Sequence, residues 1–232
     1  NDRFNLIIES IEDFYIKKIK NSNVNEWFKE NKTIFTENIN NDYYYGEIIE
    51  IENDTNIHYI GDIHGSLHSL IMILHKMKEN NIIDDNLKLK DNNVIIFTGD
   101  LVDYSYLSVE VLILVFILKL LNIDNVFICD GNHEDFDTYN RYDFNKELFE
   151  EISHPRTIHI FKRILEYLPT VLFVKYNKKI FQYNHGSIPG LESTVILVKN
   201  FLESNKKYIN LNLNDRDGKA SIASEKIGYN YK

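Results

Sequence analysis

YIGDIHGSLHSL, residues 59–70, carries an aspartate and a histidine two positions apart, Asp62 and His64, with Gly61 and Gly65 on either side. Three further stretches hold residues of the same kind: GDLVD at 99–103, GNHE at 131–134 and HGS at 185–187. Together they supply Asp62, His64, Asp100, Asp103, Asn132, His133, Glu134 and His185. Carboxylate, amide oxygen and imidazole form a ligand mixture suited to borderline or hard first-row cations such as Mn²⁺, Zn²⁺ or Fe. A carboxylate bridging two such ions would hold them ~3.5–4 Å apart, turn a water into hydroxide near neutral pH and screen a phosphoryl oxygen. Five of the nine glycines (61, 65, 99, 131 and 186) flank these residues. Glycine lets a backbone turn sharply or pass close to a bound ion without a Cβ clash.

The surrounding pattern says how such residues would be held. Short β-favouring runs at 57–60, 93–98 and 125–130 each meet one of the first three motifs, and a helical stretch follows each time. Those stretches are 66–80, 106–121 and a pattern running to 151. Two more strands, 170–175 and 179–184, are separated by a YNK turn, and the second ends at HGS. Apolar strands that end in Gly-containing turns and lead into helices make an α/β sheet. Its ligand sites lie beyond the carboxyl ends of the strands. All four motifs fall there. Ahead of them, Phe4, Ile7, Ile8, Ile11, Phe14 and Tyr15 repeat at helical spacing, and a second helix is expected over 23–37 around Trp27, Phe28 and Phe35. The expected division is therefore an N-terminal helical segment over 1–55, packing on a domain over 56–232. Residues 79–93 read as a surface insertion or hairpin.

Bulk composition narrows the function classes. In 232 residues, 44% hydrophobic and 13% aromatic, one substantial core can form. A net charge of −9 argues against a nucleic-acid or anionic-membrane partner, since a polyphosphate needs clustered Lys and Arg. The five arginines, at 3, 141, 156, 163 and 216, are scattered. A phosphate recognised here would need its charge neutralised locally, and metal is the obvious agent. Cys129 is the single cysteine, so no intrachain disulfide can form and an intracellular, reducing compartment is expected. The apolar run 111–118 is too short to span a bilayer and reads as a buried helix.

GDIHG, GDLVD, GNHE and the strand-terminal HGS, in this order, resemble the serine/threonine phosphoprotein phosphatase family of calcineurin-like metallophosphoesterases. GNHEDFDTYNRYDFNKEL and LPTVLFVKYNKKIFQYNHGSIPG are similar to that family's corresponding stretches, so the likeness covers about residues 55–192. It implies an α/β metallophosphoesterase sandwich, mixed β-sheets flanked by helices, here with N-terminal helices. It implies two divalent metal ions, Mn²⁺ or Fe/Zn, with Asp62 and His64 on the first and Asp100 bridging to the second, which Asn132 and His185 also bind. His133 would protonate the leaving oxygen, with Asp103 orienting its ring; Glu134 would hold a histidine or turn in place. The implied reaction is hydrolysis of a phosphomonoester on a phosphorylated protein or peptide, Ser/Thr or Tyr, by direct attack of a metal-bound hydroxide.

The resemblance has gaps. Where the family follows the second Asp of GDxVD with Arg-Gly, this chain has Tyr104 and Ser105. Losing a charge-assisted phosphate contact costs about 1.5–3 kcal/mol, or roughly ten- to hundredfold in kcat/KM if nothing replaces it. Tyr104 is the candidate replacement contact. Ser187 replaces the second glycine of HGG, and no histidine follows His185 to supply the family's further ligand. The domain is therefore expected to continue beyond residue 232. Two alternatives stay open: a dinucleoside polyphosphate or nucleotide hydrolase of the same superfamily, and a catalytically impaired pseudophosphatase acting as a binding module. Each motif alone is an ordinary turn ending a strand; the ordered set is specific. His58, His68, His75, His154 and His159 lie outside it and are expected to be structural or solvent-facing.

Overall fold

The computed structural model describes residues 2–20, 45–134, 142–152, 155–177, 179–186, 199–204 and 206–211. The helix expected over 23–37 lies outside them, as does the start of the helical pattern after GNHE. The elements are α1 (Asp2–Lys20), β1 (Tyr45–Glu50), β2 (Asn56–Ile60), α2 (Leu67–Glu79), β3 (Asn93–Phe97), α3 (Ser108–Leu121), β4 (Val126–Ile128), α4 (Phe144–Glu151), α5 (Pro155–Glu166), β5 (Val171–Tyr176), β6 (Lys179–Asn184) and β7 (Tyr208–Asn210).

Two sheets form. The parallel sheet has the order β2-β3-β4, and the mixed sheet the order β6-β5-β1-β7, with β1 parallel to β5 and both outer pairings antiparallel. They meet face to face through Val94 and Ile96 on one side and Ile49, Leu172 and Val174 on the other. Cys129 is buried in this seam. The other face of the parallel sheet, Ile60, Ile95, Phe97 and Ile128, is covered by α1 to α5.

Each helix buries what its spacing offers. In α2 the buried residues Leu70, Leu74 and Met77 form one stripe, and Lys76 and Lys78 sit at the C-terminal turn where cations favour the helix dipole. The near-continuous apolar sequence of α3 leaves no polar face to mark a period, and the helix is buried along one side and half-buried along the other, with no residue exposed. Pro155 opens α5, where its fixed φ and missing N–H cost nothing. Helix α1 lays Ile8, Ile11 and Tyr15 into the core and is tied to α5 by the Arg163–Glu12 ion pair at 3.1 Å. Among the described residues, no helix is long and apolar enough to cross a membrane.

The segment read as helical through residue 55 departs from that reading at 45–50. These residues form β1, an interior strand of the mixed sheet. Five of its six residues are buried, so YGEIIE shows neither the alternation of a half-exposed strand nor a helical stripe. Gly46 marks the reason for a small residue: a Cβ there would lie 2.8 Å from Ile209 and 2.9 Å from Val171. Strand β7 was also absent from the sequence reading, being only three residues long. The 79–93 stretch is a hairpin-like excursion closed by the Ile83–Leu89 bridge, with Asp84 Oδ1 accepting from the Asn86 and Lys88 N–H groups.

Candidate active site

The three parallel strands deliver GDIHG, GDLVD and GNHE to one edge of the sheet, and β6 delivers His185 from the other sheet. The turns after β3 and β4 nearly touch. A Cβ on Gly99 would lie 2.4 Å from the Gly131 nitrogen, and one on Gly131 would lie 2.1 Å from Asp100 Oδ1. Only glycine fits either place. Four non-glycine residues of the site, His64, Asp100, Asp103 and Tyr104, hold positive φ between 47° and 69°. Such backbone costs of order 1–3 kcal/mol each and persists where surroundings impose it.

Those surroundings are visible. The Glu134 carboxylate is buried beneath the two turns, accepting from the Asp100 and Gly131 N–H groups on Oε2 and from the Leu101 N–H on Oε1. Burial, then the Asp100 charge, push its pKa up to about 7, against the pull of those three N–H donors. Glu134 is thus a staple between GDLVD and GNHE rather than a group facing the pocket.

Asp100 stands at the centre. Its Oδ2 lies 3.0 Å from His185 Nε2 and 3.6 Å from His64 Nε2, and its Oδ1 accepts from the His133 backbone N–H. Asp62 completes the other side, 3.5 Å from His185 Nδ1 and 3.9 Å from His64 Nε2. His64 Nδ1 donates to the Val102 carbonyl at 2.9 Å, which fixes the tautomer that leaves Nε2 as a free lone pair. Two donor triads result, Asp62–Asp100–His185 and His64–Asp100–His133, each with its ligand atoms within 4.8 Å of one another. Both contain Asp100. Asn132 sits half-buried on the turn between Gly131 and His133. This donor set, two carboxylates with imidazoles and an adjacent amide, fits divalent first-row cations.

Next to the triads is a proton-handling pair. His133 Nδ1 donates to Asp103 Oδ2 at 2.8 Å, both side chains being almost wholly buried. Asp103 Oδ1 accepts from the Phe144 N–H and its own N–H donates to Ser108 Oγ, so the carboxylate is fixed at both ends. Burial opposes charging His133, but the Asp103 hydrogen bond and the Asp100 charge prevail and raise its pKa. The same contest raises His185, through Asp100 and Asp62.

The rim is aromatic. The Tyr104 ring packs 4.8 Å from His64 and 4.9 Å from His133, and Tyr142 lies 5.4 Å from Tyr104 and 4.8 Å from His133. A hydrogen bond to Tyr142, more than burial, pushes the Tyr104 pKa up to about 12. Tyr142, Ser108 and the Phe144 amide escaped the sequence reading. Tyr142 lies in the NRYDF run already compared with the family, but nothing local says which of its aromatics turns inward. His58, by contrast, bonds Asn93 Oδ1, and His68 and His75 are exposed.

A family model described as "Calcineurin-like phosphoesterase" matches residues 55–222. The chain belongs to that family. Among curated relatives, it is 30% identical over 147 residues to serine/threonine-protein phosphatase with EF-hands 1 of Mus musculus, covering 62% of this chain and 20% of that protein. It is 37% identical over 110 residues to serine/threonine-protein phosphatase rdgC of Drosophila melanogaster, covering 47% and 14%. The chain thus spans a fifth or less of the length of these relatives. Its fold matches a solved protein serine/threonine phosphatase from Saccharomyces cerevisiae with similarity to human phosphatase PP5, with TM-score 0.64 and 22% identity. That superposition covers 97% of this chain and 57% of the other.

Proposed function

We propose that this protein is a dinuclear metal-dependent phosphatase that hydrolyses phosphomonoesters, with a phosphorylated protein or peptide as substrate. The observation that carries this reading is the sharing of Asp100 by two donor triads, with the buried His133–Asp103 pair beside them. By the family resemblance, Asp62, His64 and Asp100 would hold one divalent cation and Asp100, Asn132 and His185 the other, Mn²⁺ or Fe/Zn by ligand type. The triads themselves set Asp62 with His185 and His64 with His133, with Asp100 common to every grouping. When bound, such cations supply the positive field a phosphoryl group needs and lower the pKa of a water.

The chain's own residues do the rest. His64 is held in its ligating tautomer by Val102, and Glu134 keeps Asp100 in its turn. His133, whose pKa the Asp103 hydrogen bond and the Asp100 charge raise against burial, presents its outward nitrogen as the general acid that protonates the leaving oxygen. Tyr104, 63% exposed at the position where the resemblance would place a phosphate-gripping arginine, offers a hydroxyl and a ring face to the substrate. The serine/threonine-protein phosphatase names of the relatives support a phosphoprotein substrate.

Incubation with Mn²⁺ and a panel of aryl phosphate, phosphoserine, phosphothreonine and phosphotyrosine peptides and dinucleoside polyphosphates tests the proposal. Turnover of the monoesters, with about two ions per chain and a loss of roughly 10²–10⁴-fold in His133→Ala, is expected. Preferential cleavage of the dinucleotides would reassign the substrate class. No turnover of any member, with no bound metal, would leave a binding domain.

A further inference from the structure

A second group of carboxylates lies away from the pocket, where α3 and α4 meet. Glu110 stands in the first turn of α3, and Glu147 and Glu151 follow one another by a turn along α4. One oxygen from each lies within 4.8 Å of the other two. Unlike the pocket, this group contains no imidazole, and none of its members takes part in an ion pair among the described residues.

Glutamates on a solvated surface would turn apart and need no explanation. These do not. Glu147 is 8% exposed, and although its Oε1 accepts from the Val109 N–H at 2.7 Å, its Oε2 is buried without any hydrogen-bond partner. Glu110 Oε2 is buried and unpartnered as well. Buried carboxylate oxygens that lack a donor are costly, and two of them beside a third carboxylate add like-charge repulsion. Burial pushes Glu147 and Glu151 up from the usual carboxylate range, for Glu147 against the pull of hydrogen bonds from Val109 and Ser108, and the Glu110 charge adds to both.

We propose that Glu110, Glu147 and Glu151 form a binding site for one Ca²⁺ ion, separate from the phosphatase metals. The chemistry selects the ion class, since an oxygen-only set favours a hard cation over Zn²⁺ or Fe. Geometry selects within it: Ca²⁺ accepts irregular sets of carboxylate oxygens at about 2.3–2.6 Å, whereas Mg²⁺ demands near-ideal octahedral geometry at about 2.0–2.1 Å and keeps several waters. Glu151, exposed, provides the entrance, and water completes the shell. The position matters for the site described above. Glu147 also holds the Val109 amide at the start of α3, and the Phe144 amide at the start of α4 holds Asp103. An ion there would clamp the start of α3 to α4, the helix whose first amide holds the Asp103 of the His133–Asp103 couple.

The test compares Ca²⁺ uptake by the wild-type chain, Glu151→Gln and Glu151→Lys, by equilibrium dialysis at pH 7.5 and by thermal denaturation. The wild type is expected to take up one more Ca²⁺ than Glu151→Gln and to gain about 5 °C in Tm at saturating Ca²⁺. Glu151→Lys, which puts an ammonium where the ion would sit, should take up one fewer ion and show its higher Tm already in chelator. Equal Ca²⁺ stoichiometry in all three chains would overturn the proposal. So would a wild type whose Tm ignores Ca²⁺ while Glu151→Gln is stabilised in chelator, because the carboxyls would then be sharing protons. Glu151 touches none of the pocket residues, so aryl phosphatase activity with Mn²⁺ separates failure here from failure of the phosphatase reading.

Discussion

The two sides of Asp100 are built differently. On the inner side, His133, Asp103 and Glu134 are nearly sealed from solvent, and His133 Nδ1 and both oxygens of the Asp103 and Glu134 carboxylates have backbone or side-chain partners. On the outer side, Asp62 is 56% exposed and 3.5 Å from His185 Nδ1, and His185 arrives from the other sheet with its Nε2 hydrogen-bonded to Asp100 Oδ2. The inner side is set by folding before any ligand is present. The outer side would be drawn together by a ligand, because a cation replaces the water that now competes for Asp62. Preorganised donors on one side and an adaptable opening on the other suit a site that must fix a proton donor yet admit a bulky phosphoester.

The severest way to break this contrast is to remove its centre. Asp100→Ala deletes the residue common to both triads, and phosphatase activity together with Mn²⁺ content, read by elemental analysis, should fall to background. Asp62→Ala should cost less, reducing Mn²⁺ occupancy and raising the Mn²⁺ concentration needed for half activity, with the fold intact. Equal damage from the two would erase the distinction between the sides.

A subtler perturbation is Asp103→Asn, which removes the acceptor that raises His133. A general acid works while protonated, so the alkaline limb of kcat/KM tracks the His133 pKa; the limb should move to lower pH in the variant, with kcat down about 10²-fold. The stability linkage has the same sign. A histidine raised on folding contributes most below the unfolded value of about 6.5 and loses that contribution as pH rises through the folded pKa.

Glu134→Gln sharpens the contrast from below. An amide presents one acceptor oxygen and an NH₂ to three backbone donors, leaving buried groups unpaired at about 1–3 kcal/mol, or a fall in Tm of about 2–10 °C. The smallest effect belongs to the rim. Tyr104→Arg should raise kcat/KM on phosphopeptides by about tenfold while leaving Tm nearly unchanged, since the position already holds φ 60° and is exposed.

Legibility in the sequence followed locality. The motifs GDIHG, GDLVD and GNHE were readable because each packs its polar residues and its glycine into one turn after one strand, and α2, α3 and β6 came out close to their expected bounds. Strand β1 was not readable, because its burial on both faces and its partners Val171 and Ile209 lie far along the chain. Tyr142 was invisible for the same reason: its place beside His133 depends on how α4 docks.

The residue types themselves determined the chemistry on offer. Imidazoles and carboxylates spaced by glycines limit the ligands to cations and the protons to a histidine–aspartate pair. Which of eight histidines and thirty-five acids would meet was decided by tertiary structure alone. Parallel pairing of β2, β3 and β4 put three turns side by side, and the facing sheet brought in His185. The same packing closed α3 against α4 and trapped three glutamates that no motif announces. Contacts between distant segments are fixed by the burial of the whole core, which no short window of sequence contains.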